Sequence, residues 1–493
     1  MVACAVLRAR LVLSLCVVLV ACVEPVESGD GDLPMTGGGV GGGGIGGAGV
    51  GAGAGGTGGG GVGGAGGVGG ASGAGGSGGS GGAAGTMGGG GGIAGGVGGA
   101  SGVGGSGGAG GMSGSTGCAA STLLPLPDDL KARGPWEVGV RTVTIGRLTA
   151  ELMYPAEPGS TAGLPEVTYN LRDWLPPTEQ MKVPDMYATP VAPIGGKLFR
   201  DVPIDGGHGP YPVVILIHGT ASMRVGSAST SVHWASRGFI VIAADYPGLG
   251  LEDQLNGTPE CGLPQTGVQD IPADIDLQIA ALEAASGDLA FLATHADATR
   301  LALSGHSQGA CYSALLANLP NVQVVIPLTG STVVSEGPAL KSIMWIAGMS
   351  DTVIGYDTAL LGNAVCPANP FGAVSNVDGF ASSPGQPNVK KRIVGITRGG
   401  LLMPSDLCRT NSRGNNPVQE SSADGVCGVD QAALLGLPAL ADCGTISVET
   451  GLDAVNYAST AALEETLHCL DRSAQLDALR TNLPQVGDYQ RDD

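Results

Sequence analysis

Gly305-His306-Ser307-Gln308-Gly309 holds a serine between two spaced glycines. A short apolar run, 301–304, leads into it, and small residues with helical potential, 310–317, follow. That order reads as strand, sharp turn, helix. At such a turn the serine hydroxyl projects from the carboxyl edge of a sheet, and the glycines let strand and helix approach closely. The chemistry it points to is nucleophilic attack by Ser307. The backbone N–H of Gln308, at the helix N-terminus, is placed to stabilise an oxyanion. The bare pattern is weak, because it recurs at Ser77 and Ser106. Those serines lie in glycine-rich sequence with no strand before them and no helix after.

The elements that must position Ser307 are legible as unalternating apolar runs. Residues 211–217, 239–244, 301–304, 322–328, 342–347 and 389–396 read as strands buried on both faces, the last run being the final strand. A hairpin of 138–145 and 148–154, turning at Gly146, precedes them. Helices are expected over 229–237 and 273–295, with a closing amphipathic helix over 457–479. Strands alternating with helices predict an α/β domain with a doubly wound, mostly parallel sheet. Residues 157–208, rich in Pro and Gly, read as a long irregular insertion or flap.

Composition divides the 493 residues into three parts. Residues 1–22 form a signal peptide: Arg8 and Arg10, then an apolar core too short for a lasting membrane span, ending Leu19-Val20-Ala21-Cys22. That ending resembles a bacterial lipobox, with Cys22 as the lipidated residue; plain secretion with cleavage near Ala21 is the alternative. Val23 after the cysteine leans toward the outer membrane. Residues 23–117 are a tether of loose Gly-Gly units that cannot bury enough side chain to offset ordering entropy. A disordered chain of that length spans about 50 Å. Residues 118–493 are the folded domain.

The net charge of −20 argues against nucleic acid as a partner. Eight cysteines remain after Cys4, Cys16 and Cys22: Cys118, Cys261, Cys311, Cys366, Cys408, Cys427, Cys443 and Cys469. An even number in an oxidising compartment predicts disulfides, with Cys311 read as a buried free thiol. No Cys-x-x-Cys pair offers a zinc site, and no metal or other cofactor is expected.

Residues from about 138 to 480 resemble the α/β-hydrolase superfamily. The resemblance is carried by the strand-then-His218-Gly219 at 214–220, AADYPGLG at 243–250, LSGHSQG at 303–309 and IAGMSDTV at 346–353. The branch containing platelet-activating-factor acetylhydrolases, dienelactone hydrolases and bacterial polyester or lipase-like hydrolases is most similar. This resemblance implies Ser307 as nucleophile and Asp351 as the acid of a triad, the plainer reading of Asp351 being a turn aspartate. It implies an oxyanion hole from the N–H groups of Gln308 and Thr220. His218 and Asp245 read as structural turn residues.

The resemblance also calls for a histidine in the glycine-rich loop after the last strand, and Leu401 stands there. His468 is the only substitute in suitable chain order, deep in the expected closing helix. Two functions remain open. One is an extracytoplasmic, lipid-anchored serine hydrolase acting on small or polymeric carboxylic esters. The other is an inactive homologue that binds an acyl ligand or a protein partner. The oligomeric state is left open.

Overall fold

The computed structural model describes residues 123–175, 177–181, 190–256, 268–330, 332–360, 372, 374–408 and 443–493. The expected signal peptide, Cys22 and the glycine tether lie outside them, as do Cys118, Cys261, Cys366 and Cys427.

Ten strands form one mixed, mostly parallel sheet: β1 (Val138–Ile145), β2 (Leu148–Pro155), β3 (Leu198–Arg200), β4 (Tyr211–Ile217), β5 (Ile240–Asp245), β6 (Ala296–His306), β7 (Val322–Leu328), β8 (Ser342–Gly348), β9 (Lys390–Ile396) and β10 (Val486–Asp492). Their spatial order is β10-β9-β8-β7-β6-β4-β5-β2-β1-β3. Strands β5, β4, β6, β7, β8 and β9 run parallel; β2 and β10 flank that block antiparallel. The order reverses at β4: the chain goes from β4 to β5 on one side of it and then crosses to β6 on the other. That creates a crevice beyond the carboxyl ends of β4 and β6.

Four helices of eight or more residues are described: α1 (Ala228–Ser236), α2 (Ile271–Ala284), α3 (Gln308–Leu315) and α4 (Val448–Leu467). Alternate strand residues face opposite sides. Val214, Leu216, Ala302, Ile326 and Ile346 pack with α1 and α4 in one apolar core. Ile215, Ile217, Leu303, Val325 and Trp345 pack with α2 and α3 in the other. Burial on both faces explains why these strands show no alternation.

Several expectations need correction. The strand over 389–396 is not the last, because β10 pairs antiparallel with it. Polar on most positions and lying at the sheet edge, β10 carries no apolar signal. The closing helix begins at Val448, nine residues earlier than expected, where the Ser447 hydroxyl accepts from Thr450 N–H at 3.2 Å. It ends at Leu467, and the chain turns at Cys469 with φ 54°. The expected helix over 273–295 stops at Ala284 and continues as a 3₁₀ turn, Gly287–Leu292. The region 157–208 is partly built into the domain: it contains β3, and Trp174 and Leu175 join the first core.

Cys408 and Cys443 form a disulfide with Cα atoms 5.7 Å apart. Cys311 is buried as expected, yet it is disulfide-bonded rather than a free thiol, as is Cys469. Among the described residues, no helix is long and apolar enough to cross a membrane.

Candidate active site

Strand register assembles the site. Ile217 of β4 lies beside Gly305 of β6, so two residues on, Gly219 and Ser307 leave the sheet side by side. Likewise Gly348 of β8 lies beside Ile396 of β9, so the loops carrying Asp351 and Leu401 leave together. Between them β7 ends at Leu328, next to His306.

Ser307 sits where the sequence places it, between β6 and α3, with φ 53° and ψ −119°. A side-chain residue held in such a conformation costs about 1–3 kcal/mol and persists only when its surroundings impose it. The imposing contacts are visible. Ser307 N–H donates to Leu328 O at 3.0 Å, and Ser307 O accepts from Ala310 and Cys311 N–H. A Cβ on Gly309 would lie 2.1 Å from Ile217 O, so only glycine lets α3 press against the end of β4. Ser307 keeps 8 % exposure.

The loop after β4 is held in a fixed orientation. His218 is buried, and burial lowers its pKa, so the ring is neutral. Its partners fix the tautomer. Nδ1–H donates to Gly219 O at 2.8 Å, and Nε2 accepts from Tyr246 N–H at 3.3 Å. Gly219 O also accepts from Ser222 N–H at 3.2 Å. The carbonyl of Gly219 and the N–H of Thr220 share one trans peptide plane, so they point in opposite directions. Turning the carbonyl toward His218 turns the Thr220 N–H the other way. Among the described residues, neither Thr220 N–H nor Gln308 N–H has a backbone acceptor. The two residues are also joined directly, Thr220 Oγ1 donating to Gln308 Oε1.

The loop after β4 is anchored further out by Asp245, which does more than turn the chain. Its carboxylate accepts from Arg224 N–H at 2.7 Å, from the Arg224 guanidinium, and from Trp174 Nε1–H at 3.2 Å. No local motif announced Arg224 or Trp174, because both partners come from other segments.

The β8/β9 side differs. Asp351 is buried just past β8, and its Oδ1 accepts from Val353 N–H at 2.8 Å and Ile354 N–H at 3.0 Å. Ser350 N–H donates to Gly399 O at 2.9 Å, tying the two loops together. Leu401, 2 % exposed, packs with Val353 and Ile354 in a small apolar cluster beside Asp351. Its carbonyl accepts from His306 Nε2–H at 2.8 Å and, more weakly, from Thr329 Oγ1–H at 3.2 Å, a proton shared with the nearer Leu328 O at 2.7 Å. Thr329 was not singled out from sequence; nothing local marks it, although its φ of 49° continues a pattern. Ala221, Ser307, Thr329 and Arg398 all adopt left-handed backbone just past β4, β6, β7 and β9. Strain gathers at this edge of the sheet.

All six histidines are described, and none hydrogen-bonds Ser307. His306 turns its ring to the Leu401 carbonyl, and burial pushes its pKa down to about 4. His468, the substitute considered from sequence, does not lie at the site. Because α4 starts early, His468 closes its far end, 3.3 Å from Arg237 O, with its ring 4.2 Å from that of Phe239 at the opposite edge of the sheet. Burial, aided by Arg300, lowers its pKa to about 3. His233 bonds Thr460, His208 bonds Asp205, and His295 lies by Thr294. Among the described residues no three His, Cys, Asp or Glu side chains group as a metal would require.

No protein-family model matches the chain, and no curated protein matches it. The chemistry therefore rests on this geometry: a strained serine, two N–H donors beside it, a buried aspartate, and an isobutyl side chain in the corner next to that aspartate.

Proposed function

We propose that the domain is an α/β-hydrolase-type site, directed at carboxylic esters, that lacks its general base. One observation carries this reading. Leu401 is packed against the Asp351 loop, its side chain among Val353 and Ile354 and its carbonyl held by His306 and Thr329. Leucine cannot accept the Ser307 proton. Without a base a serine retains at most the ~10³–10⁴-fold contribution of the oxyanion hole and binding, far short of an intact triad. Cys22 would attach the chain to a membrane outside the cytoplasm, the glycine tether giving the domain reach.

A specific observation favours the active-esterase alternative. The Ser307 strain is present, and among the described residues the Thr220 and Gln308 N–H groups have no backbone acceptor; an unused turn has no chemical reason to keep either. The two readings separate on ester turnover. Wild-type full chain should hydrolyse p-nitrophenyl acetate far below ordinary enzyme rates. Leu401→His should raise the rate about 10²-fold, equal to about 2.7 kcal/mol of barrier. A further Ser307→Ala change should remove the gain. Ordinary wild-type turnover that Ser307→Ala abolishes would establish a base elsewhere and sink this proposal. The anchoring part is tested separately: Cys22→Ala should lose fatty-acid label and leave the membrane fraction, and unchanged membrane association would overturn it.

A further inference from the structure

We infer that Ser307 is a single-turnover acyl acceptor: it takes one acyl group from an activated donor, a thioester or aryl ester, and keeps it. This rests on the base-free reading above and extends it to a product.

Acyl transfer has two halves, and they do not need a base equally. In the first, Ser307 Oγ forms a bond to the donor carbonyl carbon, and the bond from that carbon to sulfur or aryl oxygen breaks. The leaving thiolate or phenolate carries the electron pair, and the serine proton passes to it or to solvent. Thiols and phenols have pKa values near 8.5 and 10, so these groups depart without a general acid. Without a base this step is slowed, but a good leaving group lets it proceed given a correctly aimed hydroxyl and support for the oxyanion. Ser307 is held at φ 53° beside the N–H groups of Thr220 and Gln308.

The second half is hydrolysis of the serine ester. Water must lose a proton as it attacks, and the group expelled is now an alkyl oxide, nearly as basic as hydroxide. Both proton transfers fall to the base of a triad. Leu401 occupies that corner with Val353 and Ile354. A held water makes two to four polar contacts, and an isobutyl group offers none. The Leu401 carbonyl is taken by His306 and Thr329, and Asp351 Oδ1 by two backbone N–H groups. The half that fails is therefore deacylation, and the acyl-serine accumulates.

The experiment mixes full chain with p-nitrophenyl acetate and follows nitrophenolate release and intact mass together. The expected result is a burst of one nitrophenolate per chain, then a rate near that of buffer. One acetyl group should map to Ser307 and persist for hours after the ester is removed. Ser307→Ala should show neither burst nor adduct at that site. Leu401→His should convert the burst into continuing turnover and shorten the adduct lifetime at least 10²-fold. If that variant does not fold, persistence of the wild-type adduct decides alone. Continuing wild-type turnover without an adduct would overturn this inference and the base-free reading together. No burst and no adduct in wild type, with Leu401→His active, would overturn acyl retention while leaving the base-free reading standing.

Discussion

The two corners of the sheet's carboxyl edge are built to different ends. At β4/β6, backbone groups are aimed outward: Gly219 is turned by His218, and among the described residues the Thr220 and Gln308 N–H groups have no backbone acceptor. At β8/β9, groups are turned inward. Asp351 Oδ1 serves its own loop, and Leu401 points into an apolar cluster while its carbonyl is bound from two sides. The difference shows what each corner depends on. The placing of Ser307 is a property of the backbone, spread over glycines, a positive-φ serine and strand register. In the reading proposed above, the base of such a site is one side chain, and a leucine in its place leaves the sheet undisturbed.

The comparison can be broken most severely at Gly309. A methyl group there would collide with Ile217 O at 2.1 Å and His218 O at 2.6 Å, both of them backbone. Neither can rotate aside, so α3 must lift from β4. Gly309→Ala should lower stability by about 3 kcal/mol or more, beyond the usual 1–3 kcal/mol of overpacking, read as a fall in urea midpoint. Loss of the Ser307 burst should accompany it. A variant with wild-type midpoint would mean that the turn is not held by this close approach. Leu401→His, by contrast, should cost no more than the apolar burial of one leucine, about 1.5–3 kcal/mol, while altering turnover.

The same contrast governs what was legible in the sequence. The central strands could be read because burial on both faces leaves unalternating runs, as at 211–217. Ser307 could be read because its turn needs glycine at fixed offsets. Leu401 stood out only against a resemblance that expects histidine there. The rest depended on partners distant in the chain. Strand β10 is polar, and its place follows from pairing with β9. Cys311 looked like an inert apolar thiol because pairing is not a local property. The grip of His306 and Thr329 on the Leu401 carbonyl arises from neighbouring strand ends, β6 and β7, meeting a loop about 70–95 residues further along. No spacing within either segment encodes it.

His306 joins the two corners, and its titration offers the finest test of that joint. Burial is the main cause of its low pKa, about 4; the nearby His218 adds to the lowering, and the bond to Leu401 O opposes it. Protonation would keep the Nε2–H bond but put a second N–H and a charge into the buried interior. In the unfolded chain a histidine takes up its proton near pH 6.5. Between about pH 6.5 and 4 the unfolded state therefore binds more protons than the folded one, and stability falls as pH falls. A single such group contributes a slope of at most about 1.4 kcal/mol per pH unit, fully developed only when the unfolded chain is protonated and the folded one is not. His306→Gln retains a donor at the position of Nε2 and removes the titration. Its stability should decline less steeply than wild type between pH 6 and 4.5, the two urea-derived curves converging by about that slope. His233 and His468, both lowered to about 3 by burial, contribute equally to both proteins and cancel. Parallel curves would show that His306 already exchanges its proton freely in the fold, and that the loop bearing Leu401 is not held shut over it.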